Sequence, residues 1–302
     1  MATWSEVSNQ IAEGIQSVGR SIVTIQTGGR RTAAGIILDD STILTSAHAI
    51  SNAESISVWI SRQQPSKASL LGRDHGSDLA LLKIDGKLGE PALFADSPQL
   101  ALGQLVVAVA RTWRGNLVAS SGILSGLMGE WQTHGGKKIE AFIRPDLTLY
   151  PGFSGGALLG ADRKIIGMTT RGLARGSSLA VPYATIKRIT ALLRDKGYVP
   201  SPYLGVGLQP VRLPESLRRK LNLSEHVAAL VVHLEGGSPA DHAGLMLGDI
   251  LLAVADTRLG EERTVSILSR LAPDQKANIE GIRGDELFNR SVVVGERPRR
   301  QG

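Results

Sequence analysis

The chain has 302 residues, 42% hydrophobic and 21% charged, enough for about two domains of ordinary globular composition. It contains no cysteine, so disulfides, thiolate metal sites and a cysteine nucleophile are excluded together. A net charge of +6 invites nucleic acid, but the basic residues are scattered apart from the terminal "ERPRRQG" and none are interleaved with aromatics; no nucleic-acid partner is expected.

The opening "MATWSEVSNQIAEGIQSVGR" lacks a basic n-region and a continuous apolar run, so no signal peptide is read. As the sequence stands the expected compartment is the cytoplasm; removal of a leader would make it periplasmic or otherwise extracytoplasmic. No run approaches the roughly 18 apolar residues of a membrane span. Val7, Ile11, Ile15 and Val18 instead predict a short amphipathic helix within residues 1–20. Its apolar face and Trp4 are candidate oligomer contacts.

From residue 21 the pattern changes to short apolar runs divided by turn residues: "SIVTIQT", "AAGIILDD", "STILTSA", "ISVWIS", "LALLKID", "LVVAVAR", "GILSGLM", "AFIRPD", "GALLG", "RKIIGMTT" and "SLAVP". Many short strands without intervening helices predict a mainly β fold, barrels or a sandwich, rather than a βαβ sheet. "YATIKRITALLRDKGY" is a helix, with Ile186, Ile189, Leu192 and Leu193 on one face and Gly197 to end it. "VPSPY" then marks a linker over 197–202. Beyond it "YLGVGLQPV", "AALVVHL", "GDILLAVAD", "ANIEGIRG" and "NRSVVVGE" read as strands. "SPADHAGL" reads as a helix with Pro239 inside its start and Gly244 at its end, and a second helix is expected near "TVSILSRLA", where Val265, Leu268 and Leu271 recur every third residue. The organisation is therefore a helical segment (1–20), a larger β domain (21–196), the linker, a small α+β domain (203–298) and a basic tail (299–302).

Within "LYPGFSGGALL", residues 149–159, Ser154 is surrounded by Gly152, Gly155 and Gly156. "GFSGG" satisfies G-x-S-x-G, the nucleophile elbow of α/β-hydrolases, but that turn needs a helix directly after it and a later acid and histidine. The residues after Ser154 read as strand, turn, strand. The alternative order is His, Asp, Ser. His48 in "ILTSAHAIS" comes after an apolar strand, and Asp78 in "RDHGSDLALLKI" opens another. Asp74 is the rival acid; Asp78 is preferred because the apolar run behind it would hold it buried.

"TSAHAI", "SDLALLKI", "FIRPDLTLYPGFSGGALL" and "SSLAVPYATIKRI" resemble, in order, the corresponding stretches of the HtrA/Deg family of trypsin-like serine proteases, over residues 20–196. Residues 203–298 resemble its PDZ domain, most recognisably at "GSPADHAGLMLGDILLAV". The resemblance implies a trypsin-like double β-barrel followed by a small α+β PDZ domain. It implies an ATP-independent serine endopeptidase that cleaves unfolded or misfolded polypeptides, needs no cofactor or metal, and assembles as a homotrimer. In that reading His48, Asp78 and Ser154 form the triad, and the backbone N–H groups of Gly152 and Ser154 form the oxyanion hole. Thr148, Leu149, Ser178 and Ala180 line a specificity pocket without charge, suited to small or medium apolar P1 side chains. Tyr203, Leu204, Gly205 and Val206 form a carboxylate-binding loop that captures peptide C-termini, beside a helix carrying Val265 and Leu268. His226, His233 and His242 have no metal-like spacing and read as surface or structural residues.

The chain departs from the family pattern at Phe153, where Asn is usual, at Ala157, in place of Pro, and at Tyr150. Phe153 keeps a second function open: an impaired protease homologue acting as a PDZ peptide-binding scaffold or holdase.

Overall fold

A computed structural model describes residues 3–28, 31–51, 53–60, 64–112, 115–133, 137–173, 178–259 and 271–297. The chain divides into two compact units, Met1–Val199 and Pro200–Gly302. The first opens with α1 (Trp4–Gly19), whose N-cap Thr3 and Glu6 form a reciprocal capping box. Val18 is buried, and Ile11 and Ile15 pack beside it, so the apolar face read from the sequence docks on the same unit's core; Trp4 is 84% exposed.

Six strands then close a barrel: β1 (Ile22–Thr27), β2 (Arg31–Ile37), β3 (Thr42–Ser46), β4 (Ile56–Trp59), β5 (Ser66–Asp74) and β6 (Leu79–Ile84), in the order β1-β2-β3-β6-β5-β4. A second closed barrel uses β7 (Leu105–Arg111), β8 (Leu117–Met128), β11 (Phe142–Asp146), β12 (Ala157–Leu159), β13 (Ile165–Thr170) and β14 (Leu179–Pro182), in the order β11-β14-β13-β12-β7-β8. Between β8 and β11 a small hairpin, β9 (Trp131–Gln132) with β10 (Lys138–Ile139), stands outside both barrels. The unit ends in α2 (Tyr183–Lys196), stopped by Gly197 with φ +74°.

In β3, β12, β13 and β14 every residue is buried, and in β6 all but Lys83, so the apolar runs there are continuous. Ile43, Ala80 and Leu82 fill the interior of the first barrel, whereas their neighbours Leu44, Leu79 and Leu81 join the core of the second. The two barrels therefore share an apolar interface, and loops at its rim are set against one another.

The second unit pairs β15 (Pro202–Tyr203) with β22 (Gly295–Glu296). Its main sheet runs β16 (Val206–Arg212), β17 (Val227–Leu234), β18 (Ile250–Val254), β20 (Lys276–Arg283) and β21 (Glu286–Val293), with β19 (Thr257–Arg258) added to β18. Two short helices, α3 (Glu215–Leu221) and α4 (Pro239–His242), accompany it. Asp249, 1% exposed, accepts two hydrogen bonds from Arg283 at 2.8 and 2.9 Å, and the guanidinium also reaches the Gly244 carbonyl.

The mainly β fold expected from the sequence, a double barrel followed by a small α+β unit, is the one observed. Several elements were not foreseen. β5 has mixed exposure and is made a strand by its partners β4 and β6; the β9–β10 hairpin is too short to carry a pattern; α3 has no buried residue. The helix expected around Val265 and Leu268 lies outside the described residues, as does the basic tail.

Candidate active site

β3 ends in a one-turn 3₁₀ helix, Ala47–Ile50, and this delivers His48. The β5–β6 connection delivers Asp78 in the left-handed region, φ +58°, a conformation that costs a residue with a Cβ about 1–2 kcal/mol and that Asp tolerates better than most. The connection is tied down on both sides. The Ala47 N–H donates to the Asp78 carbonyl at 3.1 Å, and the His48 N–H donates to its carboxylate at 2.9 Å.

The imidazole and this carboxylate meet at 2.8 Å between Nδ1 and Oδ2. Asp78 has 4% of its side chain exposed, His48 42%. Hydrogen bonding to Asp78 holds the His48 pKa above the ordinary imidazole range, against the pull of burial and of the Arg171 charge. A third group comes from the other barrel: the buried Thr170 hydroxyl, at the end of β13, donates to Asp78 Oδ2 and accepts from the Gly172 N–H at 2.8 Å. Gly172 leaves no room for a side chain, since a Cβ there would lie 2.6 Å from both His48 Nδ1 and Asp78 Oδ2. Asp74 is not in this cluster. Its carboxylate accepts from the Ser77 N–H and hydroxyl at 2.9 and 2.7 Å.

Ser154 lies in the loop before β12, on a turn pressed against the first barrel. The Ala34 N–H donates to the Ser154 carbonyl at 3.0 Å, and Gly155, with φ +87°, sits where a Cβ would come within 2.1 Å of the Ala34 carbonyl oxygen. Only glycine fits there. Gly152 has φ +92°. Around the turn the Phe153, Gly155 and Gly156 N–H groups donate to Tyr150, Thr169 and Phe153 carbonyls. Among the described residues the Gly152 and Ser154 N–H groups make no such bond, and the Ser154 hydroxyl makes none to the imidazole. Catalytic contacts of the latter kind are often long without substrate.

The Phe153 ring is 1% exposed and belongs to the core of the second barrel, with the Tyr150 ring 5.9 Å away and 57% exposed. The Phe in place of the family's Asn is thus an apolar anchor beneath the turn. Of the expected pocket residues, Leu149 and Ala180 are buried, Thr148 is exposed, and the Ser178 hydroxyl meets the Leu147 carbonyl at 3.5 Å. A separate cleft of about 410 Å³ under α1, lined by residues including Glu13, Ser17, Pro91 and Arg163, contains none of these groups.

In the second unit Gly205 has φ +79° and its carbonyl accepts from Glu235 N–H, while the Leu204 carbonyl accepts from Ala240 N–H. The Tyr203 hydroxyl donates to the Glu235 carboxylate. Val206 opens β16, an edge strand. Val265 and Leu268 are not described.

Sequence reasoning missed Thr170, Gly172 and Ser77. "MTTRG" reads as an ordinary strand end; two consecutive threonines closing an apolar strand are the signal the sequence offers.

Residues 33–168, which include His48, Asp78 and Ser154, match the family described as trypsin-like peptidase domain. Probable periplasmic serine endoproteases DegP-like from Hahella chejuensis and Rickettsia conorii are 29% and 31% identical to the chain over 274 and 268 residues, covering 88% and 86% of it. Over residues 33–168 the chain resembles trypsin-like peptidase domains, and over most of its length it is similar to HtrA/DegP-like serine endoproteases. It spans only 57% and 52% of the length of those two relatives. Among solved structures, HtrA-type protease AlgW with tripeptide is 26% identical with a TM-score of 0.72, covering 96% of this chain and 98% of that one. The serine endoprotease from Yersinia pestis has a TM-score of 0.73 at 23% identity, covering 95% and 98%. The HtrA/DegP-like relatives named periplasmic leave the cytoplasmic placement expected from the sequence without support. No helix among the described residues is long and apolar enough to cross a membrane.

Proposed function

We propose that this HtrA/DegP-like chain is an ATP-independent serine endopeptidase that cuts unfolded or misfolded polypeptides outside the cytoplasm. One observation carries the reading: a buried carboxylate bonded to His48 Nδ1, in the same unit as a glycine-rich serine turn whose Gly152 and Ser154 amides make no backbone hydrogen bond among the described residues. Ser154 Oγ attacks the scissile carbonyl as His48 Nε2 takes its proton. Asp78, fixed by the Thr170 hydroxyl, holds the imidazole with Nδ1 protonated and stabilises the imidazolium. The tetrahedral oxyanion is received by the Gly152 and Ser154 amides, each such donor being worth about 10²–10³ in turnover. His48 then returns its proton to the leaving amine, and water repeats the sequence on the acyl-enzyme.

Thr148, Leu149, Ser178 and Ala180 are the candidate specificity pocket, and their lack of charge favours small or medium apolar P1 residues. The second unit, roughly from residue 203, is the candidate PDZ domain. There the Tyr203–Val206 loop would take a peptide carboxylate as the peptide adds to the edge of β16, which pairs on one side only among the described residues. Regulation through that unit and trimeric assembly belong to the same proposal.

Fluorophosphonate labelling with the adduct mapped by mass spectrometry tests it. Labelling at Ser154 that disappears in His48→Ala supports the endopeptidase. No labelling, even with unfolded protein or C-terminal peptide present, would leave the scaffold reading.

A further inference from the structure

The left-handed backbone at Asp78 is set by the turn that precedes it, and that turn is built on Asp74. Asp74 Oδ2 accepts both the N–H and the hydroxyl of Ser77, the residue immediately before Asp78. Ser77 is wholly buried, and the Asp74 side chain is 8% exposed. A carboxylate withdrawn this far from water needs a compensating charge, and the remaining oxygen, Oδ1, faces Lys137 Nζ at 3.9 Å.

Lys137 reaches it from the small β9–β10 hairpin. The hairpin closes on itself there, with the Thr133 N–H donating to the Lys137 carbonyl at 2.9 Å and the Lys137 N–H to the Thr133 hydroxyl at 3.3 Å. The lysine stem covers the middle of the Asp74–Asp78 turn: a Cβ on Gly76 would lie 2.0 Å from Lys137 Cγ. The ammonium side chain is 19% exposed. Burial pulls its pKa down, Asp74 pushes it back up, and the Arg188 charge on α2 lowers it.

We infer that Lys137 is a positioning residue for the catalytic acid: it neutralises Asp74 and clamps the turn that presents Asp78 to His48. This rests on the His48–Asp78–Ser154 reading above, and it makes the β9–β10 hairpin part of the active-site framework. The effect of Lys137 travels through Asp74, Ser77 and the backbone of Asp78.

The test uses the full chain with Lys137→Met, Lys137→Gln and Lys137→Arg, assayed by peptide hydrolysis and by the low-field proton resonance of the His48–Asp78 hydrogen bond. Methionine and glutamine should lower kcat about tenfold with KM within about twofold, and shift or broaden the resonance; arginine should restore both. In an Asp74→Asn background, where no charge needs neutralising, Lys137→Met should have little further effect. Wild-type turnover and resonance retained in folded Lys137→Met or Lys137→Gln would overturn the inference, and so would full additivity with Asp74→Asn. Should methionine prevent folding, glutamine and the Asp74→Asn pair carry the test. Wild-type protein unlabelled at Ser154 would instead count against the endopeptidase reading, so the two failures are distinct.

Discussion

Replacing Thr170 by valine keeps the volume and branching of a fully buried side chain while deleting one hydroxyl. That hydroxyl has two jobs: it donates to Asp78 Oδ2 and accepts from the Gly172 N–H at 2.8 Å. A hydrogen bond to a charged group contributes about 1.5–3 kcal/mol, and the orphaned amide adds a further penalty. Asp78 keeps its bonds from His48, so the proposed triad is loosened and not dismantled. If this loss falls on the transition state, in which the imidazolium leans on Asp78, kcat/KM drops by about one to two orders of magnitude. A carboxylate held less firmly also stabilises the imidazolium less, so the acid limb of the kcat/KM profile also moves to lower pH. The assay is peptide hydrolysis across pH for wild type, Thr170→Val and Thr170→Ser, with thermal unfolding alongside. Serine should recover most of the rate. A folded Thr170→Val enzyme with wild-type kcat/KM and an unmoved acid limb would refute the assignment of Thr170 to the site.

His48 should titrate above the ordinary value of about 6.5, because its bond to Asp78 favours the charged ring. Activity, which needs neutral His48, therefore fails on the acid side of that raised pKa. Stability runs the opposite way. The His48 contribution is complete below about pH 6.5 and fades as pH rises through the folded value, which a comparison of wild type with His48→Gln unfolding across pH would show. Arg171→Ala removes a charge that holds this pKa down, so its acid limb should lie at higher pH than wild type; a shift to lower pH would contradict the arrangement. Phe153→Ala should destabilise the first unit by about 3–5 kcal/mol, read by denaturant unfolding, because the ring is 1% exposed in the core; a loss under about 1 kcal/mol would mean it is not an anchor. Gly155→Ala should abolish fluorophosphonate labelling, since its Cβ would meet the Ala34 carbonyl oxygen at 2.1 Å. Gly28→Ala, also at positive φ but with nothing within 4 Å of the added Cβ, is the control that should still label.

Much of this molecule was legible before any coordinates. Short apolar runs separated by turn residues specify strands, and their continuity specifies burial on both faces, so a mainly β fold could be read from the chain alone. The order of His48, Asp78 and Ser154, with glycines clustered around the last, named the candidate chemistry because those residue types carry it wherever they meet. The pairing of β5 with β4 and β6 was not legible, since a strand of mixed exposure owes its state to its partners. In the sequence Asp78 is preferred to Asp74 only for the apolar run behind it, which does not say where either carboxylate points. That choice is made by the β5–β6 turn, which aims one carboxylate at His48 Nδ1 and the other at Ser77 and Lys137. Thr170 and Gly172 meet Asp78 and His48 only because the second barrel closes against the first, since hydrogen bonds and close approach act across space between residues that chain order keeps far apart.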